Sequence, residues 1–212
     1  MKNKGYIFDL DGVIVDTARF HFLAWKRTAD ELAFELTPEL NEKLKGVSRV
    51  DSLNKILNWA GKSIPQDEFE RLAKEKNEYY LSFVEQMTSA DILPGIVEYI
   101  ELLKANDFPV ALGSASKNAP EILKKVGLFK EFDVIVDGNS VTKAKPDPEV
   151  FLVAAEELGV KKTNCVVFED SEAGIEAANS AGMISVGLGD PEVLKDAKYV
   201  FADFTKIQDN LF

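Results

Sequence analysis

Several common chemistries are excluded by what this 212-residue chain has little of. Cysteine occurs once, as Cys165, so no internal disulfide framework can form and a reducing compartment is expected. That cysteine lies in the apolar run from Asn164 to Phe168 and reads as core rather than as a reactive thiol. Positive charge is also short: 25 Lys and Arg face 36 Asp and Glu, a formal net charge of -11. A broad nucleic-acid footprint needs a basic face and is therefore excluded. An anionic substrate is not, because a few lysines and a metal ion can set a local field. No apolar run approaches the ~20 residues of a membrane span and no signal peptide precedes the first strand, so the expectation is a cytoplasmic protein without a membrane partner. Internal repeats and low-complexity tracts are missing, and Gly187-Leu188-Gly189 is too incomplete for a dinucleotide fingerprint. What is present is a hydrophobic content of 46%, ordinary for a globular fold with one core or a core and a smaller partner.

Near the N-terminus, Tyr6-Ile7-Phe8 is an apolar run long enough only for a buried strand. It stops at Asp9 and Asp11, two residues apart, followed by Gly12. In an open parallel α/β sheet, ligands bind beyond the carboxyl ends of the strands. Two carboxylates crowded there repel, and one loses its charge unless a cation sits between them. The pair therefore asks for a metal, although Asp-Gly is also a common turn pair.

From Asp16 to Met87 the pattern is helical. Phe20, Leu23, Ala24, Trp25, Ala29 and Leu32 recur at helical spacing. Thr37-Pro38 restarts a helix with Pro in its first turn, and Gly46 is expected to end it. Ser48 and Asp51 form a short-armed capping box before Leu53, Ile56 and Leu57, with Gly61 as a stop. Ser63-Ile64-Pro65 leads into a last helix through Phe69, Leu72, Tyr80 and Val84. After Leu93-Pro94-Gly95, helices alternate with strand candidates at 109–113, 132–136, 166–168, 183–186 and 199–201. Such alternation means βαβ units and a parallel sheet. The expected organisation is an α/β catalytic core of residues 1–15 and 93–212, with a helical domain, residues 16–92, inserted after strand one. No helix keeps a sustained apolar stripe beyond core packing, which suggests a monomer.

The strand ends collect polar groups. Strand one ends at Asp9 and Asp11, the 109–113 strand at Ser114, and the 166–168 strand at Glu169-Asp170; Lys145 precedes a helix at the same edge. Carboxylate oxygens suit a hard cation such as Mg²⁺. Ser114 and Lys145 suit phosphate oxygens, and a carboxylate facing the substrate can attack phosphorus to form an aspartyl-phosphate. Ser114 alone would also serve as a helix N-cap, and Glu169-Asp170 as a cap for the helix that follows.

Asp9-Leu10-Asp11-Gly12-Val13, Ser114, Lys145 and Glu169-Asp170 resemble, in order, the four motifs of the haloacid dehalogenase superfamily. The resemblance spans the chain and implies a three-layer Rossmannoid core with a helical C1-type cap. It implies Asp9 as nucleophile, Asp11 as general acid/base, and Mg²⁺ held by Asp9, the Asp11 backbone carbonyl and Glu169-Asp170. A narrower resemblance, to the β-phosphoglucomutase family, lies in Lys45-Gly46-Val47-Ser48-Arg49 with Asp51-Ser52-Leu53, in His21 with Trp25, in Lys76-Asn77 and in Ser114-Ala115-Ser116-Lys117-Asn118.

That narrower resemblance implies a phosphomutase that interconverts β-glucose 1-phosphate and glucose 6-phosphate through β-glucose 1,6-bisphosphate, with a small sugar-phosphate phosphatase as the rival activity. Ser114 and Lys145 would hold the transferring phosphate, Arg49 and Ser116-Lys117-Asn118 the distal one, and His21 would orient Asp11. Thr17, Trp25, Gly46, Val47, Ser52, Lys76 and Ala115 complete the implied substrate surface. Read without the resemblance, His21 shares a helix face with Thr17 and Trp25 and fits a buried structural histidine equally well, and Trp25 fits the core of the helical domain. Val50 stands where the family commonly carries Glu.

Overall fold

The computed structural model describes residues 4–208. Six parallel strands, β1 (Gly5–Phe8), β2 (Val110–Gly113), β3 (Val134–Val136), β4 (Cys165–Glu169), β5 (Ile184–Leu188) and β6 (Tyr199–Phe201), form one sheet in the order β3-β2-β1-β4-β5-β6. Between β1 and β2 the chain makes the helices α1 (Ala18–Glu31), α2 (Pro38–Glu42), α3 (Arg49–Trp59), α4 (Gln66–Val84) and α5 (Ile96–Ala105). The crossovers that follow are α6 (Ala119–Val126), α7 (Glu149–Glu157) and α8 (Glu172–Ala181).

The strict alternation of strand side chains accounts for three layers. Tyr6, Phe8, Val110, Leu112, Val166 and Phe168 point to one face, where Ile100 and Leu103 of α5 and Ile122 and Leu123 of α6 cover them. Ile7, Ala111, Cys165 and Val167 point to the other, against Phe151 and Ala154 of α7 and Ala177 and Ala178 of α8. Phe8 stacks on Phe168 with ring centroids 4.7 Å apart. Fully burying such a ring contributes roughly 1.5–3 kcal/mol. The continuous apolar runs of β1 and β4 are thus explained by burial on both faces. Cys165 is buried and burial raises its thiol pKa to about 11, which leaves it unreactive at neutral pH.

The inserted helices have a second core of their own, with Trp25, Ala29, Leu32, Leu53, Ile56, Leu57 and Leu72 at its centre. Their sheet-proximal ends join the main core instead, through Phe20, Ala24, Tyr80 and Val84. Arg71 of α4 ties Glu68 and Glu75 on its own helix to Glu31 at the end of α1. Three local expectations change. Helix α2 ends at Glu42, and the left-handed Gly46 (φ 70°) turns the chain one turn later than a helix stop would require. At α3, Ser48 Oγ accepts from Asp51 N (3.2 Å), but the Asp51 carboxylate meets the Ser48 hydroxyl rather than its backbone N–H, so only half of a capping box forms. The strand expected from Phe132 starts at Val134, because a short turn at Phe129–Glu131 precedes it and Phe132 packs inward on Phe8.

Candidate active site

Asp9 follows the last residue of β1 at the sheet's central carboxyl edge, where β2 and β4 flank it. Its carboxylate is 4% exposed and accepts from Lys145 Nζ at 2.6 Å. The same ammonium donates to Glu169 Oε1 at 2.6 Å and to the Gly113 carbonyl at 3.1 Å, so its three protons are fully used. Glu169 Oε2 accepts from the backbone N–H of Asp170 (2.9 Å) and Ser171 (3.0 Å) and from the Ser171 hydroxyl (2.8 Å). Asp170 stands beside Gly12, where a Cβ would lie 2.1 Å from its Oδ2. Gly12 also has φ 78°, so both the turn and the approach of Asp170 require glycine.

Asp9, Glu169 and Asp170 each offer a carboxylate oxygen within 4.8 Å of the others. Burial pushes the Asp9 carboxyl well above its usual pKa, with Glu169 and Asp11 adding to the rise and Lys145 opposing it. Burial likewise pushes Asp170 up to about 7, helped by Glu169 and Asp11. A desolvated carboxylate group of this kind fits a hard divalent cation, which would replace protons as its counter-charge. The arrangement differs in one respect from an ion seated between the Asp9 and Asp11 carboxylates. The Asp11 side chain accepts from the Thr17 hydroxyl and is not among the carboxylates that cluster with Asp9. Glu169 has both oxygens engaged, so its first task is to hold Lys145 and the start of α8; Asp9 and Asp170 carry the less committed oxygens.

Asp11 faces the inserted helices. Its Oδ1 lies 3.6 Å from His21 Nε2 and 3.5 Å from the Tyr80 hydroxyl. Burial alone would raise its pKa, but His21, Thr17 and Lys76 outweigh this and hold the carboxyl below its usual value. His21 lies one turn after Thr17, the buried N-terminal residue of α1. Its Nδ1 is 3.1 Å from Lys76 Nζ. A donor there makes Nδ1 the acceptor and places the ring proton on Nε2, toward Asp11. Nε2 is buried without a hydrogen-bond partner among the described residues, so a small advance of α1 toward Asp11 would satisfy it. Lys76 sits 4.6 Å from the Trp25 ring centroid and 4.9 Å from that of Tyr80, and burial followed by the nearby Arg49 lowers its pKa to about 7. Trp25, 3% exposed, belongs to the helical core and offers the cleft little beyond an edge.

A cleft of about 540 Å³ runs from Asp9 and Asp11 outward between the sheet edge and the helices. Ser114 follows β2 and is buried; its Oγ accepts from Ser116 N (3.1 Å), and Ser116 Oγ accepts from Asn118 N (3.3 Å). These two bonds curl 114–118 into a tight loop at the start of α6. Gly138 braces it from behind, since a Cβ there would lie 2.4 Å from the Ala115 carbonyl oxygen. Arg49, at the first turn of α3, lines the opposite wall with Gly46, Val47 and Ser52. Val50 is 54% exposed on the same wall, where a larger acid would add negative charge beside Arg49. Helices and sheet edge touch at several points: Lys45 pairs with Asp170 at 3.5 Å, Gly46 packs on Ser171, and Asn118 Nδ2 donates to Asn77 Oδ1 at 3.0 Å. Lys45, Tyr80 and Asn77 were not among the site residues expected from sequence. Tyr80 lies four residues after Lys76, so the helical repeat alone could have marked it.

A strand ending in a buried carboxylate, with two further acids, a buried lysine and a serine loop at one edge of a parallel sheet beneath a helical insert, is the arrangement of a phosphoryl-transfer class. Residues 3–182 match the haloacid dehalogenase-like hydrolase family model, and the chain belongs to that family. More particularly, it is 42% identical over 199 residues to the β-phosphoglucomutase of Bacillus subtilis, covering 93% of this chain and 88% of the relative. The crystal structure of β-phosphoglucomutase from Clostridium difficile superposes with a TM-score of 0.93 at 43% identity, covering 98% of this chain and 94% of that one. A phosphorylated carbohydrates phosphatase of Thermotoga maritima is 34% identical, over 85% of this chain and 82% of its own. Among the described residues no helix is long and apolar enough to cross a membrane.

Proposed function

We propose that the protein is a Mg²⁺-dependent β-phosphoglucomutase. It interconverts β-D-glucose 1-phosphate and β-D-glucose 6-phosphate through an aspartyl-phosphate on Asp9 and β-glucose 1,6-bisphosphate. The observation that supports this reading over simple hydrolysis is the two-ended cleft. Asp9 and Ser114 line it near the acids, with Lys145 bonded to Asp9 behind them, and Arg49 with Ser116, Lys117 and Asn118 adds a second polar, cationic set of lining residues. A bisphosphate needs both anchors; a monophosphate bound for hydrolysis needs one.

Asp9 carries the phosphoryl group and passes it to the sugar 6-hydroxyl, while Asp11 takes the hydroxyl proton. The bisphosphate then presents its 1-phosphate to Asp9, which accepts that phosphoryl group as Asp11 returns the proton to the sugar oxygen. Thr17, His21 and Tyr80 orient Asp11 for both directions. Mg²⁺ would be held by Asp9, Asp170 and the Asp11 carbonyl, and when bound would supply charge neutralisation there. On the other side Ser114 contributes a hydroxyl contact, and Lys145, bonded to Asp9, contributes a fixed positive charge. Water competes for the aspartyl-phosphate, so the helical domain must close over the sugar before Asp11 acts. The Asp11 contacts with Thr17, His21 and Tyr80, all on that domain, make closure and acid/base placement one event.

A coupled glucose 6-phosphate assay, run on each anomer of glucose 1-phosphate with a trace of bisphosphate, tests the reading. Product is expected from the β anomer alone. Release of free phosphate without glucose 6-phosphate would favour the sugar-phosphate phosphatase activity of the Thermotoga relative instead.

The cation is tested by stability. Raised folded-state pKa values at Asp9 and Asp170 mean that the stability they contribute is complete below about pH 4 and is lost as pH rises toward 7 and beyond. Without divalent cation, Tm is therefore expected to fall between pH 5 and 8. A fixed Mg²⁺ concentration, a hundred times the Kd at pH 8, should add about 2.7 kcal/mol there and less at pH 5, where protons compete for the same oxygens. An equal gain at both pH values would place the ion elsewhere.

A further inference from the structure

Helix α4 touches both ends of the cleft. Lys76 and Tyr80, four residues apart, face His21 and Asp11 at the chemical end. Asn77, between them in sequence, faces the other way along the cleft and accepts from Asn118 Nδ2 at 3.0 Å. Asn118 closes the 114–118 loop and opens α6, so its amide sits at the distal-phosphate end. The sheet-edge side of that loop is already braced: Asn139 Nδ2 donates to the Lys117 carbonyl at 3.2 Å, and Asp137 holds Asn139 through its backbone N–H at 2.8 Å. With the loop fixed to the sheet, the Asn77–Asn118 bond reports where α4 stands.

We propose that Asn77 is a positioning residue that links distal-phosphate recognition to the placement of Asp11, and this rests on the mutase reading above. Asn118 has two amide protons, one for Asn77 and one for a phosphate oxygen. A phosphate that orders Asn118 therefore presents the first proton to Asn77 in the right place. Asn77 draws α4 onto the sheet edge and carries Lys76 and Tyr80 with it. The Asp11 cluster is completed as a result. A sugar phosphate lacking the distal group, or water alone, leaves that link unsupported. The device favours transfer to sugar over hydrolysis without Asn77 touching the reacting atoms.

The test is a double-mutant cycle on the Mg²⁺-loaded protein, with Asn77→Ala, Asn118→Ala and the pair. Two quantities are read: kcat/KM for β-glucose 1-phosphate, and the ratio of free phosphate to glucose 6-phosphate formed. Asn77→Ala is expected to lower kcat/KM about fivefold, the loss typical of one neutral hydrogen bond, and to raise the phosphate ratio by a similar factor. In the Asn118→Ala background the same substitution should cost almost nothing further. Asn77→Leu, which keeps bulk and helix propensity but removes the acceptor, should behave like Asn77→Ala if the alanine variant folds poorly. Equal losses in both backgrounds, or an unchanged phosphate ratio, would overturn the proposal and make Asn77 a packing residue. The wild-type assay separates the two readings. If wild type forms no glucose 6-phosphate the mutase reading fails, and the same cycle scored on phosphate release still weighs Asn77: additive losses there overturn its role.

Discussion

Asp9→Asn is expected to reduce turnover by at least about 10⁴-fold and to abolish the phosphorylated protein, as removal of a nucleophile from a concerted site does. The amide keeps the size of the carboxylate and can still accept from Lys145, so the backbone of the β1 turn has no reason to move. It lacks the charged oxygen that must attack phosphorus and one of the two less committed oxygens of the acidic cluster. Folding should survive well. Asp9 is held above its normal pKa by burial, Glu169 and Asp11, and the substitution removes that strain between charges. Tm without divalent cation should stay within about 5 °C of wild type, while the Mg²⁺-dependent rise shrinks. Mass spectrometry after exposure to a small phosphoryl donor such as acetyl phosphate reads the first effect, and thermal denaturation reads the second. A phosphorylated species that persists in this variant would move the nucleophile to another residue.

The layers of the fold and the rim of the site were legible because both follow from short-range chemistry. Tyr6-Ile7-Phe8 and Val166-Val167-Phe168 read as strands buried on both faces, and each stops at acids that can only face an edge. Glycines at 127 and 182 punctuate α6 and α8 with left-handed turns, as expected. What sequence could not supply was direction. Spacing puts Asp9 and Asp11 at one strand end, but only the turn through Gly12 sends the Asp11 carboxylate to Thr17 and His21 and leaves Asp170 beside the glycine. Glu169 stands in the carboxylate cluster with Asp9 and Asp170, and sequence did not show that it also bonds Lys145, 24 positions before it, and the backbone at the start of α8. Lys45 and Asn77 stand in the motifs that carry the family resemblance and Tyr80 repeats Lys76 along α4, but their partners Asp170, Asn118 and Asp11 lie far off in sequence, and no local pattern records those pairings.

Lys145→Ala is the substitution expected to damage stability most, and it should impair activity as well. The ammonium is fully buried and divides its three protons between Asp9, Glu169 and the Gly113 carbonyl, with the Phe151 ring centroid 4.7 Å from Nζ. Burial alone would lower its pKa, yet Asp9 and Glu169 raise it well above the usual lysine value. Its own contribution therefore persists throughout the neutral range and is lost only in strong alkali. Alanine leaves two buried carboxyls without their counter-charge, which costs about 3–5 kcal/mol at neutral pH. The sign of the pH effect follows from Asp9. With Lys145 gone its folded pKa rises further above the unfolded one, so the deficit relative to wild type should be small below about pH 4 and grow as pH rises through 7. Saturating Mg²⁺ should recover part of the lost Tm, because the ion neutralises the same oxygens, but turnover should remain down by about 10²–10³-fold for want of the fixed cation beside the transferring group. Lys145→Arg should not rescue it: a planar guanidinium cannot aim three donors from one buried point at two carboxylates and a carbonyl. Chemical denaturation of both proteins at pH 5 and pH 8, with EDTA and with Mg²⁺, decides the matter. A stability deficit that fails to shrink at the lower pH would mean that Lys145 acts by packing against Phe151 rather than by neutralising Asp9 and Glu169.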